Sequence, residues 1–367
     1  MTDEGPLRIA LLTYSTRPRG GVVHTLALAE ALAALGHAVD VWTLARGGDP
    51  GFFRSVDARV GIRLAPFADV PDESVGERIV RSISVLGAAV DTRDYDVVHA
   101  QDCISANAVP QCIRTIHHLD TFTTPELVAC HERAIRRPYA HICVSQAVAE
   151  EVRAGWGLSP TVIANGVDAA RFAAAAGVGG APGRLRWREK LGTYVLAVGG
   201  VEPRKGTLAL VEAMALVQAV RSDVSLVIGG GETLFDYRDY RAEVVARAGD
   251  LGVEPVVLGP VDDDELPALI ATADVFAFPS VKEGFGLAPM EALAAGVPVV
   301  MSGLPVLREV FTGAVRFAES PAELADQILL SLETPVHPQA GLALAARHRW
   351  ADAALAHVEF YRRNPVP

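Results

Sequence analysis

The stretch that decides the fold reads ADVFAFPSVKEGFGLAPMEALAAGVP, from Ala273 to Pro298. A short apolar run, Val275 to Phe278, stops at Pro279-Ser280, as a buried strand does where the chain turns. Glu283-Gly284-Phe285-Gly286 follows. A helical pattern then runs from Leu287 to about Ala295 and is closed by Gly296 and Pro298. Glu283 therefore falls on the loop and Glu291 on the helix just after it. Gly284 and Gly286 have no Cβ to keep the backbone from a ligand. The helix start directs unbonded N–H groups and a partial positive charge into the same place. Such a loop suits a phosphate oxygen, whereas ionised carboxylates accept from hydroxyl groups. Phosphate together with several hydroxyls describes a sugar nucleotide.

Working outward, the second half opens with a strand from Val195 to Gly199. It leads into Gly200-Val201-Glu202-Pro203-Arg204-Lys205-Gly206 and an apolar-faced helix to about Val220. Arg204 and Lys205 at a helix start combine side-chain positive charge with backbone donors. This is no P-loop, because the Gly-Lys-Ser/Thr order is missing. A strand from Ser225 to Ile228 ends in a further close-approach loop, Gly229 to Glu232, and Val256 to Gly259 reads as the next strand. Residues 173 to 183, AAAAGVGGAPG, form a Gly-rich stretch of small residues that reads as a linker between two domains.

The first half alternates in the same way. Leu7 to Tyr14 reads as a strand, Ser15 to Gly21 as a loop, Val22 to Leu35 as a helix and Val39 to Leu44 as a strand. Further strands are expected near Asp96 to His99, Thr115 to His117, Ala140 to Val144 and Thr161 to Ile163. Alternating β and α elements predict a doubly wound parallel sheet with functional residues at strand C-terminal ends. A nicotinamide-binding domain is disfavoured, because G-x-G-x-x-G is absent and Thr43-Leu44-Ala45, without a carboxylate, ends the second strand.

The bulk properties narrow the function classes. With 367 residues, two domains are expected, and with 50% hydrophobic residues a large core is available. A net charge of −11 argues against a nucleic-acid partner, which needs a basic face. No apolar run reaches membrane-span length, and Leu7 to Leu12 is too short for a signal segment. Cys103, Cys112, Cys130 and Cys143 form no C-x-x-C pair, so free thiols in a reducing cytoplasm are expected, with no zinc site.

Glu283 to Glu291 resembles the E-x7-E motif of retaining glycosyltransferases of the GT-B fold, and the surrounding string resembles family 4 of that group. The resemblance runs from about residue 7 to residue 360. It is densest from 195 to 310 and loosest from 45 to 95, where acceptor-specific variation is expected. Gly20-Gly21 and its helix resemble the N-terminal loop of the family, in which two glycines approach the donor phosphates. Thr115-Ile116-His117-His118-Leu119-Asp120 is similar to its T-x-H-D, with His117 beside the donor sugar and His118 in place of the usual aspartate. Val162 to Asp168 resembles I-x-NGVD. Gly200 to Gly206 resembles G-R-x-x-P-x-K-G; Lys205 matches the lysine, while Gly200 stands in the arginine position and Arg204 is the candidate replacement.

The resemblance implies two Rossmann-like domains facing a cleft. Residues 1–170 form an acceptor-side domain completed by a C-terminal helix, 350–367, crossing back to it, and 190–348 form the nucleotide-sugar domain. It implies transfer of a sugar from a nucleotide-diphosphate sugar to a hydroxyl acceptor, with retention; the absence of an obvious carboxylate nucleophile fits a front-face mechanism in which the leaving phosphate takes the acceptor's proton. Glu291 would bond the ribose hydroxyls and Glu283 the sugar hydroxyls. Lys205 and Arg204 would neutralise the diphosphate. The backbone of Gly20, Gly21, Gly200, Gly284, Phe285, Gly286 and Leu287 would line the donor. No obligatory metal or other cofactor is expected. A sugar-nucleotide epimerase of the same fold and a non-catalytic sugar-nucleotide binder are the competing readings.

Three further features stay open at this level. His99 can be a packed residue or a catalytic one, and His37, after a helix cap, is expected to be structural. His117, His118 and Asp120 could also hold a metal, although no second cluster supports it. Arg133, Arg136 and Arg137 at the end of an amphipathic stretch could rest on an anionic membrane, or form a solvated face that complements the helix dipole.

Overall fold

The computed structural model describes residues 5–120, 122, 124–230, 237–334 and 338–367. The chain divides into two compact units, Met1–Gly166 together with Trp350–Pro367, and Val167–Arg349.

The first unit holds a parallel sheet of β1 (Arg8–Leu12), β2 (Ala38–Arg46), β3 (Val60–Phe67), β4 (Val97–Ala100), β5 (Ile113–Ile116), β6 (Ala140–Cys143) and β7 (Thr161–Val162), in the order 3-2-1-4-5-6-7. The sequence order reverses between β1 and β4, so a crevice opens beyond their C-terminal ends. The first helix, Gly20–Ala34, is apolar on most of its circumference. It lies between the sheet and the C-terminal helix Trp350–Arg363, which explains why no polar stripe is needed. That C-terminal helix contributes Ala353, Ala354, Val358, Phe360 and Tyr361 to the same buried cluster as Ile9, Leu11, Leu26 and Ile113.

The second unit repeats the plan with β8 (Thr193–Val198), β9 (Val224–Gly229), β10 (Val256–Gly259), β11 (Val275–Phe278), β12 (Val299–Ser302) and β13 (Arg316–Ala318), in the order 10-9-8-11-12-13. Its reversal falls between β8 and β11. The loops that leave those two strands carry Lys205 and Glu283.

The structure departs from the sequence reading in three places. β3 is an edge strand paired only with β2, and its Gly61, Arg63 and Pro66 break the alternation that marks a strand; proline is tolerated there because an edge strand can leave one side unbonded. The first helix starts at Gly20, two residues before the apolar periodicity begins. The expected linker is folded: Ala169–Ala176 is a helix, Val178–Gly180 a 3-10 turn and Ala181–Leu191 a further helix, all within the second unit. Alanine is the best helix former, and Pro182 fits the first turn of the next helix. The boundary lies instead at Gly166, where a Cβ would come 2.4 Å from the Trp350 backbone nitrogen.

Candidate functional site

In the second unit, β8 runs into Gly199 and Gly200, and the 3-10 turn Pro203–Lys205 is followed by the helix Thr207–Val220. Gly206 turns the chain between them at φ +66°, with its Cα so close to the next strand's exit that a Cβ would sit 2.0 Å from the Pro279 carbonyl oxygen. Only glycine meets both demands. The Val281 N–H donates to the Arg204 carbonyl at 2.9 Å, fastening the two loops together.

This junction brings the candidate charges onto one carboxylate. Lys205 Nζ donates to Glu283 Oε1 at 2.7 Å and Arg204 Nη1 to the same oxygen at 3.0 Å, joined by Ser280 Oγ at 3.0 Å. Arg204 Nη2 is also held by Glu202 Oε1 at 3.0 Å, and its Nη1 reaches the Lys282 carbonyl. Lys205 Nζ lies 4.9 Å from the centre of the Phe278 ring. Gly199, Gly200, Lys205, Phe278 and Pro279 line a small crevice at this point.

After Glu283, Gly286 takes φ +101° and caps the helix Leu287–Ala294. A Cβ there would meet the Phe311 ring at 3.0 Å, so packing as well as conformation requires glycine. Phe285 is buried and meets His348 edge-on at 5.6 Å, so its side chain is a core group. Among the described residues, the N–H groups of Gly284, Phe285, Gly286 and Leu287 have no protein acceptor. They are the donors that a helix start offers to an anion.

Glu291 sits one turn into this helix. Burial, with Asp263 and Asp168 adding repulsion against the attraction of Arg171, pushes its carboxyl up to about 7. Arg171 and Asp263 are themselves an ion pair at 2.7 Å, and Asp168 caps the helix Ala169–Ala176. Glu291 makes no hydrogen bond to the protein through its side chain among the described residues, so its oxygens remain for a donor brought by a ligand.

In the first unit, Gly20 and Gly21 open the first helix without a side-chain cap. His117, just past β5, lies against them: a Cβ on Gly21 would be 3.6 Å from its ring. Its Nε2 is 3.1 Å from Gln101 Oε1, and burial together with the nearby His24 and Arg114 holds it well below the usual histidine range. A neutral imidazole at a strand end can donate from one nitrogen and accept at the other. His118 pairs with Asp120, Nε2 to Oδ2 2.9 Å, and among the described residues no group of three or more His, Cys, Asp or Glu side chains is arranged to hold a metal ion. His99 is fully buried, with Nδ1 2.8 Å from the Tyr361 hydroxyl and Nε2 2.7 Å from Thr115 Oγ1, which makes it a packing residue under the C-terminal helix. His37 Nδ1 accepts from the Leu7 N–H at 3.0 Å and is likewise structural.

The arginines at the end of the helix Pro125–Arg136 are partly engaged within the protein: Arg136 pairs with Glu132, and Arg133 Nε reaches Asn107 Oδ1. All four cysteines are free. Of the Gly229 to Glu232 loop, Gly231 and Glu232 lie outside the described residues. Among the described residues no helix is long and apolar enough to cross a membrane.

Four supporting residues escaped sequence reading: Ser280 and Glu202, which fix Glu283 and Arg204; Gln101, which holds His117; and Arg171, beside Glu291. Ser280 three residues before Glu283 offered a local signal. Gln101 and Arg171 act across 16 residues or more of chain, or through space alone, and offered none.

Residues 186–355 match the family described as glycosyl transferases group 1, and residues 18–171 match glycosyltransferase family 4. A phosphatidyl-myo-inositol mannosyltransferase from Propionibacterium freudenreichii is 30% identical, over 94% of this chain and 92% of its own. A glycogen synthase from Mycobacterium tuberculosis is 30% identical, over 98% and 97%. Among solved structures, sucrose-phosphate synthase from Thermosynechococcus elongatus superposes with a TM-score of 0.75 at 23% identity, covering 97% of this chain and 98% of that one. Anabaena Alr3699/HepE in complex with UDP and glucose gives 0.73 at 20% identity, covering 96% and 99%. Two parallel-sheet α/β units, the Lys205–Glu283 junction and these relatives agree: the chain belongs to the group 1 glycosyltransferases, enzymes of the GT-B fold.

Proposed function

We propose that the protein transfers a sugar from a nucleotide-diphosphate sugar to a hydroxyl acceptor, with retention of anomeric configuration. The observation that carries this reading is the meeting of Lys205 and Arg204 on Glu283, beside the open N–H groups of Gly284 to Leu287. Glu283 pairs with both cations, and Glu202 shares Arg204. The donor's diphosphate takes its place against Lys205 and Arg204, which stabilise the charge that grows on the leaving phosphate. Arg204 thereby supplies the cation missing at Gly200. Glu283, released from the cations, accepts from hydroxyls of the sugar, and Glu291 accepts from the ribose. In the first unit, His117, held by Gln101, and the backbone of Gly20 and Gly21 are the groups that the family resemblance gives to the donor. The side-chain cations do the work that a metal does in other phosphate sites, so no obligatory metal enters the reaction. In the front-face course the leaving phosphate accepts the acceptor's proton, consistent with the lack of a separate carboxylate nucleophile in this set.

The named complexes of Anabaena Alr3699/HepE with UDP and UDP-glucose support a nucleotide-sugar donor. Four free thiols and the use of a nucleotide sugar fit a cytoplasmic enzyme. Peripheral membrane contact through Arg133, Arg136 and Arg137 belongs to the same reading, since mannosyltransferases named for phosphatidyl-myo-inositol are among the relatives.

Incubation with UDP- and GDP-sugars, with and without an acceptor extract, tests the proposal by product analysis. A new glycoside that forms only with extract and keeps the donor's anomeric configuration is expected. Consumption of donor into an isomeric sugar without acceptor identifies an epimerase instead, and binding without turnover a sensor. An inverted product overturns retention.

A further inference from the structure

In the first unit the helices Cys103–Ala108 and Pro125–Arg136 pack together and bring Cys103 against Cys130. Asn107, one turn after Cys103, ties the two residues. Its Nδ2 donates to the Cys103 carbonyl at 2.7 Å and to the Cys130 carbonyl at 2.8 Å, and reaches Cys130 Sγ at 3.4 Å. The two thiols are themselves joined by a side-chain hydrogen bond. Arg133 Nε holds the other end of the Asn107 amide, at 3.4 Å from Oδ1. Arg114 is buried nearby, and its Nε has no acceptor among the described residues.

This setting separates the pair from the other two cysteines. The hydrogen bond from Cys103 draws the Cys130 thiol below its ordinary range in spite of burial, with Asn107 and Arg133 acting in the same direction. Burial alone governs Cys112 and Cys143, and pushes both up to about 12. A thiolate is the reactive form of cysteine, so the pair is reactive and the other two are inert. Cys103 is only partly buried, which gives a small oxidant access; Cys130, fully buried behind it, is placed to resolve the product.

We propose that Cys103 and Cys130 are a site of reversible oxidation, closed to a disulfide by a peroxide, and that closure lowers sugar transfer through Gln101 and His117. The Cys103 sulfur takes one peroxide oxygen as the O–O bond breaks, releasing one water. Cys130 then displaces that oxygen as a second water, and the S–S bond forms. Closure brings the sulfurs from hydrogen-bond contact to about 2.05 Å, so one residue must move. Cys130 lies inside a helix of 12 residues, whereas Cys103 is the first residue of a helix of 6. Cys103 is therefore the partner that shifts. The two residues before it hold the strand end: Asp102 accepts from the Tyr14 N–H at 2.9 Å, and Gln101 Oε1 is 3.1 Å from His117 Nε2. The oxidation chemistry stands by itself; its effect on turnover rests on the glycosyl-transfer reading above.

The full-length reduced protein, treated with hydrogen peroxide and mapped by non-reducing peptide mass spectrometry, tests the chemistry. A cross-linked peptide joining Cys103 to Cys130, opened again by dithiothreitol, is expected, with Cys112 and Cys143 still free for alkylation after denaturation. Initial rates with UDP- and GDP-sugars test the consequence. Oxidation is expected to lower them by about tenfold or more, because a misplaced group at the reacting centre is costly, and dithiothreitol to restore them. Cys103→Ser and Cys130→Ser, checked for folding by thermal melting, should keep their rates within about twofold through the same treatment. Absence of the cross-link, a cross-link to Cys112 or Cys143, a fully cross-linked protein of undiminished rate, or equal loss in Cys103→Ser overturns the proposal. A reduced protein that transfers sugar and never cross-links removes this proposal alone. A reduced protein that transfers no sugar removes the glycosyl-transfer reading, and the peptide map still decides the oxidation site.

Discussion

Lys205 Nζ and Glu283 Oε1 stand 2.7 Å apart across 78 residues of sequence, and Arg204 reaches the same oxygen. Two loops leaving neighbouring strands thus neutralise each other. A charge-assisted bond in a partly buried site contributes about 1.5–3 kcal/mol. On the proposed reading donor binding replaces that contribution, so affinity for the diphosphate is expected to be set at this junction.

Truncation of Lys205 gives the most direct reading of the junction. Lys205→Ala should lower donor turnover by about tenfold to a hundredfold, following from the bond strength above. Initial rates at saturating acceptor measure it. Activity within twofold of wild type, in rough terms set by that scale, removes Lys205 from the phosphate site.

The raised carboxyl of Glu291 makes nucleotide binding depend on pH. Its carboxyl is pushed up to about 7, and on the proposed reading hydroxyl donors from a ribose favour the charged form. Binding therefore releases protons near neutrality and weakens as pH falls below about 7, by at most about tenfold per pH unit. Calorimetry of UDP or GDP binding in two buffers of different ionisation enthalpy measures the released protons. Glu291→Gln should abolish the release; a wild-type affinity that is flat across this pH range contradicts the assignment.

Gly206 couples local backbone to the site. Gly206→Ala combines an unfavourable φ of +66° with a Cβ 2.0 Å from the Pro279 oxygen, so the Pro279 and Lys205 loops must part. A loss of about 2 kcal/mol or more is expected, larger than a surface glycine replacement gives. Urea unfolding measures it, with Gly192→Ala, also at positive φ but with open space around its Cβ, as the control. Equal losses at the two positions point to backbone strain alone and exclude the steric contact.

The buried histidines of the first unit predict acid sensitivity. Burial, with the charge of His357, lowers His24 to about 3, and burial lowers His357 to about 4; burial also holds His99 and His117 well below the usual range. The unfolded chain binds protons at these residues below about pH 6.5, and the folded chain does not until far lower. Stability is therefore full above about pH 6.5 and falls as pH drops toward about 4, by up to about 1.4 kcal/mol per pH unit for each histidine. His357→Gln should flatten that slope by about one proton. Unfolding midpoints measured across the acid range give both slopes, and identical ones refute the linkage.

The alternation of elements and the Pro279 to Gly286 string were legible because they are local: strand ends, turn glycines and helix starts are written in adjacent residues. Both sheets, the Leu287–Ala294 helix and the Trp350–Arg363 helix follow from them. β3 was illegible because an edge strand bonded on one side tolerates Gly61 and Pro66. The stretch from 173 to 183 misled because glycine content was weighed above alanine's helix propensity, and Gly180 packs so closely on Ala175 that a Cβ would come 2.0 Å from its oxygen.

The sequence by itself determined which residue types were available: two glutamates on a loop and a helix, two cations in a turn, a histidine past a strand. Tertiary structure decided their partners. It set Glu283 as the counter-ion of Lys205 and Arg204, gave His117 to Gln101, and sealed His99 beneath Tyr361. The physical reason is that strand propensity and turn chemistry act over a few residues, whereas charge pairing acts through space and depends on which strand ends the sheet order makes neighbours.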